Sequence, residues 1–86
     1  MRITQIIWDL DDDPDGNVQH VAEHGISMDE VDEVLYAAEE VIASHSSGRP
    51  ITFGETSTGK HIAVVFEVVT EHPLCVYPVT AYETKP

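Results

Sequence analysis

Positive charge is what this chain has least of. Lysine and arginine together number 4 in 86 residues, against 16 aspartates and glutamates, for a formal net charge of −12. Neither cation occurs from Ile3 to Gly48, while twelve of the 16 acids stand between Asp9 and Glu40. Nucleic acid is held chiefly by neutralising its phosphates, so the N-terminal half is unsuited to gripping RNA or DNA. A basic partner surface, or adaptation to salt that screens acidic self-repulsion, would each account for this balance. Cysteine occurs once, at Cys75, which excludes an internal disulfide and fits a reducing compartment. Long apolar runs and a basic N-region are also missing, so no membrane span, no signal peptide and a cytoplasmic location are expected. Repeats and linkers are lacking too, and one domain over residues 1–86 is the expectation. What is present is an ordinary apolar content of 42%, enough for a small core.

Local patterns predict the elements. RITQIIW, residues 2–8, reads as a first strand. DLDDDPDGN follows as a loop marked by Pro14 and Gly16. NVQHVAEHG, residues 17–25, reads as a short helix with Val18, Val21 and Ala22 on one face and Gly25 at a left-handed cap. In ISMDEVDEVLYAAEE, residues 26–40, Ser27 and Glu30 form a capping box, and Ile26 and Val31 have the spacing of a hydrophobic staple. Val31, Val34, Leu35 and Ala38 make the apolar stripe of this second helix. VIASHSSG reads as a short strand, PITFGE and KHIAVVFEVV as a hairpin, and LCVYPVTAYE as a last strand. Pro78 inside that last strand points to a sheet edge or a bulge. The order β-α-α-β-β-β-β predicts an α+β fold, with two N-terminal helices packed on one face of an antiparallel sheet.

The hairpin decides whether Arg49 and Lys60 can share a ligand. A turn through Ser57, Thr58 and Gly59, with Gly59 left-handed, pairs Thr56 with Lys60. Phe53 then stands opposite Ala63, Ile51 opposite Val65 and Arg49 opposite Glu67. Arg49 lies roughly 23 Å along the strand from Lys60's pair, at about 3.3 Å per residue. The two cations are predicted to lie at opposite ends.

Three groups of residues carry chemistry. HVAEH, residues 20–24, has the inverted zincin spacing, with His20 and His24 one turn apart and Glu23 placed to poise a water. A helix ending at Gly25 offers no third ligand, so no metal is assigned. Asp11, Asp13 and Asp15 match the first ligands of a calcium loop, but Ala22 stands where its bidentate glutamate belongs. That stretch reads as a solvated loop whose acids favour the next helix's N-terminus. Metal-independent RNA cleavage needs a base, cations for the phosphorane charge and an acid. His20, His24, His45, His61, Arg49, Lys60, Tyr77 and Tyr82 are the groups available. Each also has a structural reading: Arg49 pairing with Glu67, Lys60 solubilising a hairpin end, His61 beside Glu55, the tyrosines half-buried. Cys75, between Leu74 and Val76, reads as core.

In sequence order these residues resemble the BrnT family of toxins, of the RelE-like group in type II toxin–antitoxin pairs. The resemblance runs from Trp8-Asp9 through His24-Gly25-Ile26-Ser27 with Glu30, Arg49, Gly54, the STGK turn and IAVVFE to VTAY. It implies a compact β-α-α-β sheet fold, RNA cleavage in association with translation, and inhibition by an antitoxin that also binds DNA. Arg49 is similar to the arginine before the family's third strand, Lys60 to the basic residue after its turn, and His24 to the histidine of its H-G. Three positions depart from the pattern: Glu23 where a basic residue is usual, Thr80 for Ser, and Tyr82 for the Arg of the final strand.

Two function classes lead, with a metal-binding domain using His20 and His24 or the aspartate loop as a third reading. In the first, a BrnT-like endoribonuclease works without cofactor or metal on RNA or at the ribosome. There Arg49 or Lys60 holds phosphate charge, His24 or His61 moves the proton, and Tyr82 stands at the final-strand position. In the second, a non-catalytic module docks an antitoxin-like or other basic protein on its acidic half. No membrane partner is expected, and the oligomeric state is left open.

Overall fold

A computed structural model describes residues 2–39, 41–43 and 48–85. The chain runs β1 (Gln5–Ile6), α1 (Asn17–Glu23), α2 (Met28–Tyr36), β2 (Ile42–Ala43), β3 (Pro50–Glu55), β4 (His61–Glu71) and β5 (Leu74–Glu83). Glu40 and residues 44–47, which include His45, lie outside the described residues. The architecture is α+β, as the element order predicts. Among the described residues no helix is long and apolar enough to cross a membrane.

The sheet has the spatial order β1-β5-β4-β3-β2. The expectation of an antiparallel sheet is corrected at one edge. β2, β3, β4 and β5 pair antiparallel, but β1 runs parallel to β5, with Gln5 beside Cys75 and Ile6 beside Val76. Side-chain alternation shows which face a residue takes; it carries no information on the direction of a partner 70 positions away. β1 is also shorter than residues 2–8, although Thr4 and Ile7 extend the contact by donating N–H bonds to Leu74 and Val76.

One face of the sheet carries the main core. Ile62, Val64 and Phe66 of β4 alternate inward with Val76 and Ala81 of β5. They meet Val21 of α1 and Val31, Val34 and Leu35 of α2, with Ile3 and Ile26 closing the cluster. Phe66, at 0% exposure, is the largest of these side chains. Truncating such a buried ring to alanine costs about 3–5 kcal/mol. Gly54 lets α2 approach β3 closely, since a Cβ there would lie 3.0 Å from Val34 Cγ1. The opposite face bears a smaller apolar strip of Ile51, Ala63 and Val65 with Val79 packed against them. Neither helix covers this strip.

The caps explain where the helices begin and stop. Ser27 Oγ accepts from Glu30 N at 3.2 Å while Glu30 Oε1 accepts from Ser27 N at 3.0 Å, closing the capping box. Gly25, at φ 77°, ends α1 in the left-handed conformation. The start of α1 differs from expectation. Its first turn holds no acid and Gly16 gives no side-chain cap. Instead Asp9, eight residues upstream, accepts from Asn17 N at 2.9 Å. This close approach needs Gly16, where a Cβ would meet that of Asp9 at 2.8 Å. Pro78 sits at a bulge: Val65 pairs Thr80 and Phe66 pairs Pro78, leaving Val79 unmatched in an inner strand.

Candidate functional site

The β3–β4 register is the one the turn residues specify. Ile51 faces Val65, Phe53 faces Ala63, Glu55 faces His61, and Thr56 N donates to Lys60 O at 2.8 Å. Gly59, at φ 89°, supplies the left-handed residue of the turn. Strand alternation then sorts the five candidate catalytic residues onto two sides of the sheet.

Lys60 and His24 lie on the helix side. Lys60 Nζ donates to the Gly25 carbonyl at 2.8 Å and to Glu30 Oε1 at 3.2 Å. It is therefore a tie between turn and helix rather than a free solubilising group. His24, next to Gly25, is exposed, and its ring centroid lies 5.7 Å from that of His20. Arg49, His61 and Tyr82 belong to the face away from the helices. Arg49 Nε donates to Glu67 Oε1 at 2.9 Å, with both side chains about half exposed. His61 Nε2 stands 3.4 Å from Glu55 Oε2. Tyr82, opposite Ala63 and 39% exposed, is two residue pairs along from His61 on the same face. A shallow cleft of about 280 Å³ runs past Phe53, Glu55, His61, Thr84 and Lys85. Arg49 is at the far end of that face. Lys60 reaches the residue after His24, His61 and Tyr82 share a sheet face, and the structure does not bring the five together.

The carboxylates are the better organised groups. Glu30, 7% exposed, accepts from Thr58 Oγ1 at 2.6 Å as well as from Ser27 N and Lys60. The Thr58 hydroxyl is the strongest influence holding its carboxyl at about 2, aided by the Ser27 N–H and the Lys60 ammonium against the opposing effect of burial. Glu33 Oε1 accepts from Ser57 N at 2.8 Å, so two acids of α2 fasten the STGK turn. Asp32 Oδ1 accepts from the Trp8 indole at 2.9 Å. Outside these bonds lies an acid-lined hollow of about 590 Å³ along α2, bounded by Asp29, Asp32, Glu33 and the half-exposed ring of Tyr36. Sequence reasoning found the capping function of Glu30 but not its bonds across the hairpin; the residue spacing holds no sign of them.

A second network surrounds Asp9. Asp9 Oδ2 accepts from Tyr77 Oη at 2.5 Å and from Asn17 N, while buried Asn17 donates to the carbonyls of Ile7 and Pro78. The Tyr77 hydrogen bond chiefly lowers the Asp9 carboxyl, and the same bond with burial pushes the Tyr77 phenol up to about 12. Tyr77 is thus a neutral structural donor rather than a proton source. Asp11, Asp13 and Asp15 remain exposed, with Asp13 Oδ1 accepting from Asp15 N at 3.0 Å. Among the described residues no group of three or more His, Cys, Asp or Glu is placed to hold a metal. Cys75 is buried, with Sγ 3.7 Å from Gln5 Oε1.

Compared with protein-family models, curated proteins and solved structures, the chain finds no match. Its function is therefore argued from its own residues.

Proposed function

We propose that the chain is a non-catalytic interaction module on a BrnT-like, RelE-like scaffold, and that the acidic helical side docks a basic protein. Support for the scaffold comes from the element order, the two helices on one sheet face and the Ser27–Glu30 capping box that follows His24-Gly25-Ile26. One observation carries the non-catalytic reading. The two cations that would hold a phosphate, Arg49 and Lys60, lie on opposite sides of the sheet, each against a carboxylate. The half-exposed Arg49–Glu67 pair adds little stability, but it answers the guanidinium charge that RNA would need. The hollow along α2 has the opposite character: four carboxylates and the Tyr36 ring line it, and its one cation among the described residues, Lys60, is tied to Glu30, which leaves Asp29, Asp32 and Glu33 to face a lysine or arginine side chain.

Fluorescence anisotropy of a labelled single-stranded RNA, followed across a salt series, tests this reading. No affinity is expected even at low salt, while a basic protein should bind and weaken as salt rises. RNA affinity that falls linearly with log salt would overturn it. The endoribonuclease reading keeps one favourable observation, the shared face of Arg49, His61 and Tyr82. Expression without a partner decides that case: arrested growth with cleaved messenger RNA supports it, and unchanged growth with intact messenger RNA removes it.

A further inference from the structure

Among the described residues the outer edge of β3 is only partly paired. β2 covers only its first part, where Ile42 pairs with Ile51 and Ala43 with Pro50. Thr56 N donates to Lys60 O, so by antiparallel alternation Gly54 and Thr52 also turn their peptide groups toward β4. The N–H and C=O groups of Phe53 and Glu55 then point outward, where no further described strand pairs with them. Beside them a groove of about 560 Å³ separates this edge from the end of α2. Val34, Ala37 and Ala38 form its helical wall, with residues 51–55 of β3 on the strand side, where Thr52 and Gly54 face α2. Phe53 is 55% exposed, an unusual degree for a phenylalanine in a strand.

Natural sheets blunt such edges with lysine, proline or a bulge. Residues 51–55, ITFGE, carry none of these, and Glu55 is their one charge. The charges around the groove select the occupant. Glu33, Glu39 and Glu55 line it, and among the described residues no cation does. A second copy of this edge would bring the same acids together in an isologous pair, which like-charge repulsion opposes. An extended segment with apolar residues between lysines or arginines would satisfy the backbone groups, the apolar wall and the rim together.

We propose that a basic partner docks as an added strand along the outer edge of β3, its apolar side chains in the groove beside Val34, Ala37 and Ala38. This rests on the basic-partner reading above and specifies the mode of docking: main-chain bonds supply affinity, and alternate side chains supply selectivity. Glu33 borders both this groove and the acid-lined hollow, so one segment can engage the two in sequence.

Two labelled peptides of equal charge test it: one alternating lysine and valine over seven residues, the other with every valine replaced by proline. Both carry the charge; only the first can pair as a strand. Anisotropy should show the valine peptide binding at least tenfold tighter to the native chain. Hydrogen exchange should slow at the Phe53 and Glu55 amides when it binds. Phe53→Pro removes one outward N–H while leaving the β3–β4 ladder intact, since proline is tolerated on an edge. It should bring the valine peptide's affinity down to that of the proline peptide. Ala37→Trp, which fills the groove from the helix side, should do the same and serves if the proline variant fails to fold. Equal binding of both peptides, unaffected by either substitution, overturns strand addition and leaves the acidic-docking reading standing. Binding of neither peptide at low salt overturns both.

Discussion

Glu30 shows how one side chain serves several levels of structure. Its position three residues after Ser27 identifies it as a cap, and the capping box forms as the spacing predicts. Its second oxygen and its ion pair reach Thr58 and Lys60, which only the folded hairpin brings near. Because the folded-state carboxyl sits at about 2 rather than 4.5, the fold favours the ionised form. Its stabilisation is complete above about pH 4.5 and drains as pH falls toward 2. Glu30→Gln should therefore cost about 1–3 kcal/mol at neutral pH, as expected for losing hydrogen bonds to a charged, mostly buried group. Urea unfolding measured at a series of pH values should also show a flatter acid limb in the variant than in the native chain. An unchanged acid limb would mean that other carboxylates, Asp9 first among them, carry the acid sensitivity.

At the scale of elements, the close contact of α2 with β3 hangs on Gly54. A methyl group there would stand 3.0 and 3.2 Å from the two γ carbons of Val34, inside ordinary contact distance. Gly54→Ala should destabilise the protein by about 1–3 kcal/mol through overpacking. Adding Val34→Ala should recover part of that loss, so the double variant should be more stable than the sum of the two single effects. Thermal unfolding of the four proteins in this cycle checks it, and strict additivity would show that the contact relaxes without cost. The β3–β4 pair was readable beforehand because Ser57-Thr58-Gly59 fixes a turn and the flanking alternation fixes the register. The parallel docking of β1 on β5 was not, since the two strands pair across almost the whole chain and nothing local marks their relative direction.

For the whole molecule the dominant quantity is the charge of −12, concentrated on the helical half. Self-repulsion of that size opposes compaction and weakens as the Debye length falls from about 30 Å at 0.01 M to about 3 Å at 1 M salt. The unfolding temperature should therefore rise by several degrees between those sodium chloride concentrations, where roughly 1 kcal/mol corresponds to about 4–8 °C in a domain of this size. A temperature that falls instead would show that local pairs such as Lys60–Glu30 outweigh the repulsion. Part of the candidate site was legible at this scale too. The distance between Arg49 and Lys60 followed from the hairpin register, and so did the pairing of Arg49 with Glu67 and of His61 with Glu55. The tie from Lys60 to Gly25 and Glu30 did not, because it crosses from the sheet to the helical layer.

The sequence by itself determined the local elements: the capped second helix, the left-handed glycines, the hairpin turn and the acidic imbalance, all consequences of interactions within a few residues. Tertiary structure alone decided the direction of β1, the capping of α1 by Asp9, and the burial of Glu30 between helix and turn. Among the described residues it also left Phe53 and Glu55 of β3 without a strand partner beside the groove against α2. Those features depend on which distant surfaces meet, and the free energy of such meetings comes from packing and desolvation that no short stretch of residues contains.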